Sequence, residues 1–177
     1  MCSGRPTVAL SDSLPTASSR GIDVSGGSPQ TLCDANPVGG AGTWNRDGIV
    51  LFGDEVIYRV PAAGGVRTPV TALDKGRGDL GHSAPRFLPD GRHFLFRILN
   101  RDPEQSAVYL GALDSSDTQL LDRINSRAEY APPGSLLFAR DGTLMARPFD
   151  PGRRQWTGCA FVLSWPIVRL LRDFVTS

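Results

Sequence analysis

The feature that most constrains this chain is a repeat. Three segments align on a central glycine: TWNRDGIVLF (43–52), FLPDGRHFLF (87–96) and YAPPGSLLF (130–138). Their glycines, Gly48, Gly91 and Gly134, stand 43 residues apart in both intervals. Each segment runs from an aromatic residue to the glycine, then through an apolar run ending in Leu-Phe (Leu51-Phe52, Leu95-Phe96, Leu137-Phe138). The register continues downstream with second strands at 56–60, 107–113 and 143–149, turns at 62–65, 114–117 and 150–153, and third strands at 67–73, 118–124 and 154–158. A single unit of this size is one meander, and one sheet cannot bury both faces alone, so neighbours must stack. The expected class is all-β: a partial β-propeller of about three four-stranded antiparallel blades plus a half blade. A β-sandwich also carries closely spaced turn signals, but it does not call for two equal intervals.

Composition supports the same reading. The chain holds 20 glycines and 14 prolines among 177 residues, above the usual share of about 12%. Arginine supplies nearly all the basic residues, Lys75 being the one lysine, and aspartate outnumbers Glu55, Glu104 and Glu129. Such a chain favours turns over helices. Asp47-Gly48, Asp90-Gly91 and Asp141-Gly142 are hairpin signals, because glycine accepts a positive φ freely. Gly26-Gly27 and Gly64-Gly65 mark the next turn. Pro29 and Pro69 fall in outermost strands, where a missing N–H is tolerated.

The expected organisation is a poorly packed Ser/Thr/Pro-rich lead over 1–20, then repeats over 21–163. The units fall near 21–41, 42–82, 83–126 and 127–163. At 164–177 the apolar spacing turns helical, with Ile167, Leu170, Leu171, Phe174 and Val175 on one face, and Pro166 suits a first turn. That predicts a short C-terminal helix; the alternative is an aberrant tail with no selected role.

The segment FLPDGRHFLF resembles the Pro-Asp-Gly core of TolB-like, WD-type propeller repeats. Pro89, Asp90 and Gly91 match it fully; Asp47-Gly48 lacks the proline, and Pro133-Gly134 lacks the aspartate. Longer strings (22–35, 42–53, 57–74, 85–96 and 130–150) resemble the C-terminal propeller of bacterial serine/threonine protein kinases. The resemblance implies a propeller with aromatic residues packed between blades, extracytoplasmic in a membrane-tethered parent. It does not extend to kinase activity, since no glycine-rich loop, His-Arg-Asp or Asp-Phe-Gly triplet is present.

Candidate chemistry is sparse. GRGDLG (76–81) has the form of a dinucleotide fingerprint, but the adjoining HSAPRFLPDGRHF (82–94) lacks the helical period such a site needs. It reads as an inter-blade loop, and its Arg77-Gly78-Asp79 tripeptide is too short to carry inference. Asp79, His82 and Ser83 could supply an acid, a base and a nucleophile, yet no Gly-x-Ser-x-Gly elbow accompanies them. His82 and Ser83 read instead as the start of an inner strand, and His93 as a strand residue. The string NRDPEQS (100–106) reads as a long hairpin loop with acidic tips rather than a calcium site, which would require alternating oxygen ligands in a shaped loop. Cys2, Cys33 and Cys159 show no Cys-x-x-Cys spacing and read as free thiols. No catalytic, cofactor-binding or metal site is predicted, and no cofactor. The recurring aromatics Trp44, Phe52, Phe87, Phe96, Tyr130 and Phe138 read as core.

A net charge of +1 gives no footing for nucleic acid. No apolar run is long enough for a transmembrane helix, and the start lacks a signal-like core. The expectation is a non-catalytic binding or sensing module, taking a protein, peptide or small ligand at its loops, as a fragment of a larger protein such as a kinase sensor region. The alternative is the propeller accessory domain of a prolyl-oligopeptidase-like hydrolase, and a gene fragment without independent function is a third reading. Three units are fewer than the roughly four to eight that close a ring. Open edge strands then predict self-association, which light scattering would report.

Overall fold

The computed structural model describes residues 18–21, 30–34 and 42–163. The expected C-terminal helix, Pro29 and Gly26-Gly27 lie outside these residues. Strands β1 (Ser18–Gly21) and β2 (Gln30–Asp34) pair antiparallel as a ribbon in the place of the expected half blade. Strand β1 starts inside the segment expected to be an unpacked lead.

Three antiparallel sheets come next. The first holds β3 (Gly42–Trp44), β4 (Ile49–Gly53), β5 (Ile57–Pro61) and β6 (Thr68–Pro69). The second holds β7 (Asp79–Phe87), β8 (His93–Asn100), β9 (Ala107–Ala112) and β10 (Ser115–Asp122). The third holds β11 (Ala128–Ala131), β12 (Ser135–Arg140), β13 (Thr143–Asp150) and β14 (Gln155–Trp156); β15 (Phe161–Val162) also pairs with β13. Apart from β15, the strands lie in sequence order within each sheet. The second sheet begins at Asp79, ahead of the expected start at 83.

Glycine punctuation explains the hairpins. Gly48 and Gly91 turn β3 into β4 and β7 into β8, at φ of 73° and 70°, a region costly for any residue with a Cβ. Pro69 sits in the short outer strand β6, opposite Tyr58, where it interrupts no inner ladder.

The Leu-Phe pairs organise the core. Adjacent strand residues point to opposite faces, so each pair reaches both neighbours of its sheet. Leu95 packs toward the third sheet, with Val108, Leu136 and Phe138. Phe96 packs toward the first, with Leu51, Ile57 and Phe94. In the first sheet Leu51 likewise faces forward, while Phe52 joins Val50 and Val60 in a separate cluster. Phe52, Phe96 and Phe138 are fully buried; Trp44, Phe87 and Tyr130 lie half-buried against these clusters. Leu137 breaks the pattern by being only half-buried, because its forward face meets no further described sheet.

The sheets fan out from their first strands. Contacts between sheets run from β3 and β4 to β7, and from β11 to β7 and β8. Gly53 marks the tightest approach: a Cβ there would stand 2.7 Å from the His82 carbonyl oxygen and 2.9 Å from the Ser83 Cα. Both neighbours are backbone and cannot swing aside. Gly53→Ala is therefore expected to destabilise the protein by about 1–3 kcal/mol, read as a lower urea midpoint at unchanged slope. A midpoint equal to wild type would show that the two sheets separate freely.

Candidate functional site

The stack has two unlike ends. At one lie the hairpins after β3, β7 and β11. There the Asn45 side-chain amide donates to the Gly91 carbonyl at 2.7 Å, while its oxygen accepts from the Asp47 and Ile49 amides, tying neighbouring hairpins together. His93 also sits here, as a strand residue as expected. Its Nε2 accepts from Arg154, so Nδ1 carries the proton and donates to Asp90 at 2.5 Å.

The other end gathers the connectors between sheets and the loop between β8 and β9. Since β7 and β8 are antiparallel, Asp79 pairs with Asn100 here. Residues 74–78 form a capped 3-10 turn: the Asp74 side chain accepts from the Arg77 amide, and Gly78 closes the turn at φ 85°. A strand comes directly after it, so GRGDLG offers no helix N-terminus to a phosphate. Loop 100–106 folds into a second 3-10 turn, with Asp102 accepting from the Glu104 amide. Its tip, residues 101–105, is exposed.

The structure brings Asp79 and His82 onto one strand but gives each a structural partner. Asp79 is buried and takes two hydrogen bonds from Arg77, at 3.0 and 2.6 Å. Burial opposes its charge, but the Arg77 guanidinium and the Asn100 amide hold its carboxyl below the usual range. His82 is 1% exposed and lies over the Phe96 ring. Thr71 Oγ1 accepts from the Ile57 amide and also shares a 2.8 Å hydrogen bond with His82 Nδ1. His82 Nε2 is buried and has no hydrogen-bond partner among the described residues. Burial drives its pKa down to about 4; Asp79 raises it and Arg77 lowers it further. Among the described residues, no group of three or more His, Cys, Asp or Glu could hold a metal ion. Cys159 is a free, exposed thiol.

Sequence reasoning missed the inner junction. Between Ser83 and Arg86 the register of β7 shifts, and Ala84 takes φ 50°. Such a bulge re-aims the side chain beyond it. Arg86 donates to Glu129 of the third sheet at 2.7 Å and to the Gly42 carbonyl of the first at 3.3 Å. One guanidinium thus spans all three inner strands.

No family model matches the chain, and no curated protein matches its sequence. Among solved structures it is similar to a protein of Agrobacterium tumefaciens assigned as a TolB, with a TM-score of 0.64 and 18% identity. The match covers 84% of this chain and 57% of that one. The fold is a TolB-like β-propeller, present in part. At this identity the likeness speaks for fold alone. A puromycin hydrolase aligns at a TM-score of 0.40 and 17% identity, over 90% of this chain and 37% of that one; it is too distant to add to the argument. No helix among the described residues is long and apolar enough to cross a membrane.

Proposed function

We propose that this chain is a non-catalytic propeller module of a larger bacterial protein, binding a protein, peptide or small ligand on its connector face. The observation that carries the reading is the gathering of inter-sheet connectors and the exposed 101–105 tip at one end of a rigid stack. Loops held by a scaffold are where binding residues concentrate. The resemblance of five sequence strings to kinase-linked propellers supports a sensor region of a membrane-tethered serine/threonine kinase as the parent. In that setting the module faces outward and transmits occupancy rather than performing chemistry.

A photoreactive residue placed in the full-length parent tests this. From position 101, on the connector face, it is expected to cross-link a ligand or partner; from position 46, on the hairpin face, it is not. Cross-linking from 46 alone would overturn the assignment. A kinase domain upstream in the same reading frame supports the sensor role. A Gly-x-Ser-x-Gly domain downstream would replace it with the gating propeller of a prolyl-oligopeptidase-like hydrolase.

A further inference from the structure

Arginine is the chain's usual cation, and most of its buried or half-buried guanidinium groups find a carboxylate. Arg67, Arg86 and Arg147, all half-buried, each form such a pair. Arg97 differs. It lies on β8 one step beyond Leu95 on the same face, and its cross-strand partner is Val108. Both neighbours belong to the core shared by the second and third sheets, so the Arg97 stem enters the cleft between them. Its Nη2 donates to the side-chain oxygen of Asn125, on the connector to the third sheet, at 2.7 Å. That partner is neutral. The Arg97 Nε is buried with no hydrogen-bond partner among the described residues, and no carboxylate there pairs with the group. Burial alone acts on it, pulling its pKa below the ordinary arginine value.

A half-buried guanidinium without a counter-charge is costly, because desolvation is not offset. Its planar fork of donors suits an oxyanion presented edge-on. The bond to Asn125, on the connector to the third sheet, is exposed, so the Nη end of the group faces the connector end.

We propose that Arg97, steadied by Asn125, is an oxyanion-binding site that accepts a carboxylate or phosphate group of a ligand in the cleft between the second and third sheets. The inference rests on the connector face being the binding face and names the ligand chemistry there.

The test uses the full chain with acetate and inorganic phosphate as separate probes, each against chloride at equal ionic strength. At tens of millimolar, at least one oxyanion is expected to raise Tm by about 3 °C and to shift the Arg97 Nε–Hε resonance saturably. The tighter probe distinguishes a carboxylate ligand from a phosphate one. In Arg97→Gln the anion-dependent rise should vanish, while the melting point in chloride stays at or above wild type, since an uncompensated charge has been removed. Three results would each overturn the proposal: no response beyond chloride, an equal rise in Arg97→Gln, or a variant melting well below wild type in chloride. The last would show that the fold already supplies the counter-charge. Loss of the position-101 cross-link with intact anion binding would sink the face assignment and spare the anion site.

Discussion

Phe96→Ala is expected to lower the unfolding free energy by about 3–5 kcal/mol. The ring is 1% exposed and fills the space between the first and second sheets. Its centroid lies 5.2 Å from His82, 5.7 Å from Phe94 and 5.9 Å from Tyr109. These three belong to the second sheet, while Leu51 and Ile57 of the first sheet and Val70 of the connector close the other side, so the neighbours cannot collapse into the gap as one unit. Urea denaturation of Phe161→Ala provides the control. Phe161 is half exposed in the short strand β15, and its loss should stay within about 0.5 kcal/mol. Equal midpoints for the two variants would show that Phe96 is not core.

The second large effect is a loss of stability in mild acid, carried by His82. Its folded pKa of about 4 lies below the unfolded value of 6.5. The unfolded chain therefore binds a proton in this window that the folded chain refuses. The stabilisation is complete above pH 6.5 and is lost as pH falls toward 4. For a side chain this buried, the shift corresponds to roughly 3 kcal/mol. Asp79, Asp90 and Asp114 are held below the usual carboxylate range, so their contributions fall away only in stronger acid. Denaturation midpoints at pH 7.5, 6.0 and 4.5 should drop steeply in the wild type. His82→Gln should flatten that slope, whatever its absolute stability; an undiminished slope would place the titrating group elsewhere.

Much of the fold was legible because the repeat is written in local chemistry. Glycine spacing announced the hairpins, and the Leu-Phe pairs announced a sheet buried on both faces. Even the long-range contacts keep the period: Arg86 reaches Glu129 across 43 residues, and the Phe87 amide reaches Thr43 across 44. The connector-face chemistry was less legible. That His82 would pair with Thr71 depends on how a connector lies over a strand, and no spacing rule fixes that. That Arg97 has no carboxylate partner among the described residues is likewise invisible in a chain so rich in aspartate. The bulge at Ala84 carries no glycine to signal it, so the reach of Arg86 into both neighbouring sheets left no mark in the sequence.

The Leu-Phe pairs have a consequence for symmetry. In every sheet Phe looks back and Leu looks forward, so the two ends of the stack are chemically unlike. A further sheet of the same kind, added in front of the half-buried Leu137, would meet that leucine face with its own backward phenylalanine face, as the third sheet meets the second. That is heterologous, head-to-tail association, which has no two-fold axis. Such assembly ends only when the accumulated wedge angles of the sheets complete a full turn; otherwise it grows as a filament.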